Sequence, residues 1–372
     1  MNCWALGWGR INSDRGQSMP VPDTRGAIPA AQGGPDGPDR ASWRQLLQLP
    51  AAHPPVFLLG LMLLVPLALM PWHTWVVLTI SGLAMGAMVF LMASGMSLTF
   101  GLMNVLNLAH GAFISVGAFA GMTVLGMWLA DAARSTSAAA NLLAVLAALG
   151  FAALLSGLLG LVFERLVIRP VYGDHLKQIL MTVGGAIIVF ELIEVIWGHR
   201  EIPVPRPEVL RGAVVIGGMA LEKYRLAAVV VGLAVYAGLR WVIERTRLGI
   251  LIRAGVESRE MVEIHGYRIR LLFLGVFIAG SALAGLGGAM WAMYREIIFP
   301  QMGDELMISV IVVIILGGLG SIRGCFYGAI MVGLINLYVG YLEPRLAAVA
   351  TVGLMVAVLM WRPQGLIPVI KV

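Results

Sequence analysis

Between Trp75 and Leu129 the chain is apolar for the length of two membrane crossings. It is broken once, by Thr-Phe-Gly-Leu-Met-Asn-Val-Leu-Asn-Leu-Ala-His-Gly at Thr99 to Gly111. Apolar blocks of about 20 residues recur beyond it, each the length of a helix crossing ~30 Å of hydrocarbon. They predict spans at about 55–71, 76–100, 108–130, 140–163, 178–197, 226–243, 271–292, 305–320, 326–341 and 346–361. The expected fold is an all-α polytopic membrane protein with about eight to ten transmembrane helices. One of these is expected to be broken or re-entrant near 99–111, with room for an inverted repeat; two clean crossings remain an equal alternative there. Two domains follow: a disordered tail over 1–50 and a membrane domain over 51–372 with a long polar loop at about 244–270.

Composition supports the membrane assignment. Apolar residues make up 59% of the chain and charged residues 12%, roughly half the charge of a soluble domain; mean hydropathy is +0.88. The tail, with runs such as Gly33-Gly34-Pro35-Asp36-Gly37-Pro38, holds too little apolar area to offset ordering entropy, and Met19 is an alternative start. Cys3 and Cys325 have neither a disulfide partner nor metal-ligand spacing.

The net charge of +6 gathers in loops and so concerns membrane orientation, not nucleic acid. Arg165, Arg169 and Lys177 occupy one loop. Arg240, Arg245, Arg247, Arg253, Arg259, Arg268 and Arg270 crowd a second, and Arg362 and Lys371 lie in the closing tail. The positive-inside rule sets all three, and both termini, in the cytoplasm. The segments 197–225 and 293–304 then face outward. Many glycines, among them Gly111, Gly117, Gly121, Gly280, Gly285, Gly287, Gly288, Gly324, Gly328 and Gly333, are spaced for close helix contact and read first as packing glycines of a compact bundle.

Polar groups inside an apolar span cost several kcal/mol each unless they face protein or a watery path. Asn104, Asn107 and His110 recur at spacing three, one face of a helix, followed by Gly111. They either line or gate a solute path or satisfy backbone groups freed where the helix breaks; both readings set them inside the bundle. Glu191 and Glu194, at the outer end of a span, read first as solvated interface carboxylates. The mixed charges Arg200, Glu201, Arg206, Glu208, Arg211, Glu222 and Arg225 form a long outer loop, with solvation the commoner explanation over docking of a soluble partner. In the long inner loop, 256–265 reads as one short helix between Gly255 and Gly266. Met261, Val262 and Ile264 form its apolar side, and Arg259, Glu260 and Glu263 stay wet. Such a helix suits a partner's groove or the lipid headgroups equally.

Glu260-Met261-Val262-Glu263-Ile264-His265-Gly266 resembles the Glu-Ala-Ala-x-x-x-Gly coupling loop of ABC importer permeases at Glu260 and Gly266, though not at the two alanines. The stretch 101–113, Gly-Leu-Met-Asn-Val-Leu-Asn-Leu-Ala-His-Gly-Ala-Phe, resembles the signature of the Liv-type permeases for branched-chain and other hydrophobic amino acids. Segments 247–254, 316–329 and 362–367 are similar to that family too, so the resemblance runs from about 76 to 368. It implies a bacterial inner-membrane permease subunit that is not an enzyme and needs no cofactor. Its implied partners are a second, distinct permease subunit (LivM-like), two cytoplasmic ATP-binding subunits and a periplasmic solute-binding protein. The polar break gives the candidate path or gate, Asn104, Asn107, His110 and Gly111, and the resemblance implies an ATPase coupling loop at Glu260, Met261, Ile264 and Gly266. Branched-chain amino acids lead as the cargo, with urea, short amides and other amino acids left open by the same resemblance. No Gly-x-x-x-x-Gly-Lys-Ser/Thr occurs in the chain. An ion-coupled carrier, the alternative class, needs acids near the bilayer midplane, and Glu191 and Glu194 lie too shallow for that.

Overall fold

The computed structural model describes residues 54–367 except 104, 106 and 258. The expected disordered tail, 1–50, and Asn104 lie outside the described residues, as do the side chains of Glu260 and Met261. In chain order the helices are α1 (Pro54–Leu69), α2 (Trp72–Met103), α3 (His110–Thr123), α4 (Ala130–Arg134), α5 (Ala138–Phe163), α6 (His175–Trp197), α7 (Lys223–Arg245), α8 (Arg247–Glu257), α9 (Arg259–Ile264), α10 (Ile269–Arg295), α11 (Met302–Gly317), α12 (Ile322–Leu342) and α13 (Ala347–Trp361). Among the described residues, eight helical segments are long and apolar enough to cross a membrane, within the expected range. The shorter apolar α1 lies at the periphery, tied down where the Trp75 indole donates to the Leu63 carbonyl at 2.9 Å.

Local chemistry sets the helix starts. Asp174 caps α6 by accepting from the Lys177 N–H at 3.1 Å. That bond and the Lys177 ammonium hold the partly exposed Asp174 carboxyl below the usual carboxylate range. Ser137 and Ser321 do the same for α5 and α12. One turn of wider winding carries α3 on to Trp128 and another carries α5 to Ile168.

The centre of the bundle holds α2, α3, α10 and α11, flanked by α5 against α10 and α12 against α2. Lipid offers no hydrophobic drive between helices, so close backbone approach and dispersion hold them. A side chain at Gly95 would strike the Gly280 carbonyl, fixing the crossing of α2 with α10. Gly82 and Gly86 admit α12 at Gly333 and Ala329; Gly285 admits α5 at Ser156.

The connections Met103-to-His110 and Arg295-to-Met302 are both six residues long, and each leads into a helix whose second residue is glycine. Those glycines, Gly111 and Gly303, touch: a Cβ on Gly111 would lie 2.9 Å from the Gly303 carbonyl oxygen. The pairs α2–α3 and α10–α11 thus repeat one motif with opposite chain direction, the expected inverted repeat. α11 spans 16 residues, about 24 Å, the length expected for the span at 305–320. Like α3, it starts inside the bundle.

Two small antiparallel sheets sit at the end opposite the basic loops. Ile202 pairs with Ile298 in one. The other is the hairpin β2 (Ala213–Ile216) and β3 (Met219–Glu222), turned at Gly217-Gly218, both with positive φ as the tight hairpin turn requires.

Candidate translocation and coupling sites

The break between α2 and α3 contains no proline; a side-chain amide organises it. Asn107 accepts the Ala109 N–H on its Oδ1 at 3.1 Å, and its carbonyl accepts the His110 N–H at 3.2 Å. This local turn competes with helix and restarts the chain as α3. The His110 Nε2 lies 2.8 Å from the Met92 carbonyl oxygen. Met92 is about 16 Å along α2 from Met103, at ~1.5 Å per residue, so the chain leaves α2, doubles back, and begins α3 deep in the bundle. Asn107 and His110 are each 1% exposed.

Below His110, Phe113 meets Phe163 and Phe277 edge-on at 5.4 and 6.1 Å between ring centroids. The Phe113 carbonyl accepts from Ser156 Oγ at 3.1 Å, and Ser115 Oγ accepts the Gly303 N–H at 2.9 Å. The starts of α3 and α11 are therefore joined to one another and to α5 by hydrogen bonds that reach inside the bundle. Between them, Asn107, His110 and Phe113 are buried.

Distant stretches meet at the basic end. Gly101, in the last turn of α2, abuts Gly320, and Gly365 abuts Gly318. Leu366 and Ile367 donate their N–H groups to the Leu316 and Gly317 carbonyls at 2.9 and 3.0 Å. Gly318, Gly320 and Gly365 have φ of +99°, +78° and +81°, a region that L side chains avoid. The Gly-rich segment 316–324 is thus a backbone lock between α2, α11 and the closing segment. Nothing local in the sequence signals that pairing.

The polar loop holds two helices, α8 and α9, where one was expected. Thr246 starts α8 by accepting the Gly249 N–H on its hydroxyl at 3.4 Å. The expected apolar side of α9 is divided. Val262 turns into the core at 6% exposure, while Ile264 projects at 77%. The physical reason is the two-residue spacing, which turns the side chains about 200° apart on a helix. Gly266 ends the turn at φ +82°, donating to the Glu263 carbonyl at 2.9 Å. Just before α8, Glu244 accepts from Arg240 at 3.1 Å and from Arg323 Nε at 2.8 Å, tying the end of α7 to α12.

At the opposite end, solvation does not describe Arg206. It is 8% exposed, pairs with Glu222 and with Glu296 at 3.0 Å, and donates to the Met293 and Tyr294 carbonyls at 3.1 and 3.2 Å. Those carbonyls belong to the last turn of α10, which has no helical donors of its own, so the guanidinium caps it. Tyr224 stacks beneath, 4.9 Å from its ring centroid to the guanidinium carbon. Of the two span-end acids, Glu191 is exposed and Glu194 accepts from Gln301 at 2.6 Å, joining α6 to the start of α11. These contacts lie 16 to 107 residues apart in the chain and leave no periodic signal.

Apolar helices, two of them starting inside the bundle in opposite senses, define a polytopic membrane protein. The family model of the branched-chain amino acid transport system permease component matches residues 78–359, and the chain belongs to that family. The chain is 27% identical over 298 residues to the high-affinity branched-chain amino acid transport system permease protein BraD of Pseudomonas aeruginosa, covering 77% of this chain and 94% of the relative. It is 23% identical over 294 residues to the permease protein LivH of Escherichia coli K12, covering 77% and 93%. A probable LivH of Methanocaldococcus jannaschii is 25% identical over 256 residues, covering 68% and 76%. No solved structure matches the chain at a significant level.

Proposed function

We propose that this chain is one membrane half of an ABC importer for branched-chain amino acids in a bacterial inner membrane, with both termini cytoplasmic. A second, distinct permease subunit completes the path, two cytoplasmic ATP-binding subunits supply the work, and a periplasmic binding protein delivers the cargo. The observation that carries this reading is the start of α3 inside the bundle, latched at His110 to the Met92 carbonyl. A helix that starts there can shift without breaking a continuous hydrogen-bond ladder along the span.

The gate is the segment holding Asn104, Asn107, His110 and Gly111. In the closed state Asn107 and His110 satisfy backbone groups; on opening, the same amide and imidazole face the path. The coupling handle is α9 with its turn, through Glu260, Met261, Ile264 and Gly266. Ile264 presents a bare apolar side chain to a cleft on the ATP-binding subunit, and Val262 anchors the handle in the core. ATP closure moves the handle, α7 and α12 follow through Glu244, and α11 and α3 separate at Gly111–Gly303. Low affinity along the path suffices, because selectivity resides in the delivered binding protein. The relatives reported above are all named for branched-chain amino acid transport, which favours that cargo over urea or amides.

Uptake of labelled leucine into vesicles containing the full transporter tests the reading. It is expected to require ATP and the binding protein and to ignore a Na⁺ or H⁺ gradient. Gradient-driven uptake by this chain alone overturns it.

A further inference from the structure

A groove of about 940 Å³ opens at the basic end, between the connection after α5 and the turn joining α9 to α10. Arg165, Arg169, Arg268 and Arg270 all line it, and all four are exposed. Among the described residues none of the four has a carboxylate within ion-pair distance. Glu164 and Glu263 also line it, so its formal charge is four minus two, or +2. Its membrane-facing wall is apolar, with Leu271, 59% exposed, and Leu274 on the first turns of α10. Guanidinium groups with no carboxylate in ion-pair distance among the described residues, set above an apolar wall on the outward side of the first turns of α10, suit one kind of ligand, an anion carrying hydrocarbon.

We propose that this groove binds the headgroup of an anionic phospholipid. The phosphate sits among Arg165, Arg169, Arg268 and Arg270, and the acyl chains lie along Leu271 and Leu274. Guanidinium groups bind phosphate oxygens in pairs, and each basic side chain near an anionic leaflet adds to the attraction. Orientation by the positive-inside rule needs only the charges; it does not need them to converge on one cavity with an apolar wall. Gly266 and Tyr267 form part of the same groove, so a bound lipid braces the turn behind α9. That consequence rests on the coupling role proposed above; the lipid site does not.

Native mass spectrometry of the assembled transporter, titrated with cardiolipin or phosphatidylglycerol, tests the site, with photoreactive phosphatidylglycerol mapping it on the unaltered chain. Cross-links are expected in 164–172 and 263–274, with retention unchanged in Arg211→Gln at the opposite end. Arg268→Gln/Arg270→Gln is expected to weaken retention about thirty-fold, roughly 2 kcal/mol at about 1.4 kcal/mol per decade. Equal retention with cross-links spread over all spans overturns the proposal. So does a double variant that keeps its lipid but sheds the ATP-binding subunits, which makes the groove a protein-docking face. If the variant does not assemble, the cross-link map on the unaltered chain decides alone. Loss of lipid with coupled ATP hydrolysis intact leaves the site standing and removes only its effect on coupling.

Discussion

Replacing His110 by leucine removes the contact to the Met92 carbonyl while keeping a buried side chain of similar size, and Asn107→Leu leaves the Ala109 N–H without its acceptor. Each change costs about 1–2 kcal/mol of local stability, because a neutral hydrogen bond inside the bundle is lost. If the segment is the gate, both variants assemble normally, the closed state is disfavoured about tenfold, and initial uptake falls because the path no longer recloses fully in each cycle. Unchanged uptake in both reduces the two residues to backbone partners. Gly303→Val is a harsher test, since the added carbons strike the Gly111 carbonyl. It is expected to lower the unfolding midpoint in detergent, with a cost of roughly 3 kcal/mol from overpacking. Arg206→Met leaves Glu222 with Arg225 as its remaining partner, and leaves the exposed Glu296 and two α10 carbonyls without this donor. A stability loss of about 2–3 kcal/mol is expected, and an unshifted thermal midpoint contradicts the capping role.

At the scale of elements, the coupling handle makes the sharpest forecast. Gly266 sits at φ +82° and donates its N–H to Glu263, and proline permits neither. Gly266→Pro is expected to abolish solute-stimulated ATP hydrolysis in the assembled transporter, and Ile264→Asp to cut it by at least about tenfold through loss of an apolar anchor. Stimulated hydrolysis at the normal rate in both variants removes α9 from the mechanism. The existence of a polar, helical loop here was legible from the glycines that bracket it and the charge between them. The opposed directions of Val262 and Ile264 were not, because six residues are too short a helix to show a period. Arg206 shows the same limit from the other side: a lone arginine in a mixed-charge loop carries no mark of burial when its partners lie at 222 and at 293–296.

For the molecule as a whole, the apolar blocks and the single polar break were plain in the chain, since membrane length and the cost of unsatisfied polar groups leave few alternatives. Which segments meet was not. The contact of 101 with 320 and of 365 with 318 joins three glycine-bearing stretches whose local composition says only that backbone comes close to something. The inverted repeat became visible once Gly111 and Gly303 were found touching at equivalent positions. In the proposed gate, opening pulls α3 and α11 apart together. The most direct test is thiol labelling of Ala109→Cys in a transporter carrying Cys3→Ser and Cys325→Ala. A membrane-impermeant reagent is applied with and without a non-hydrolysable ATP analogue on the partner subunits. Labelling is predicted to rise about tenfold with the nucleotide and to stay at its low value when Gly266→Pro is added. Equal labelling with and without nucleotide contradicts a gate at this segment driven from the inner-face handle.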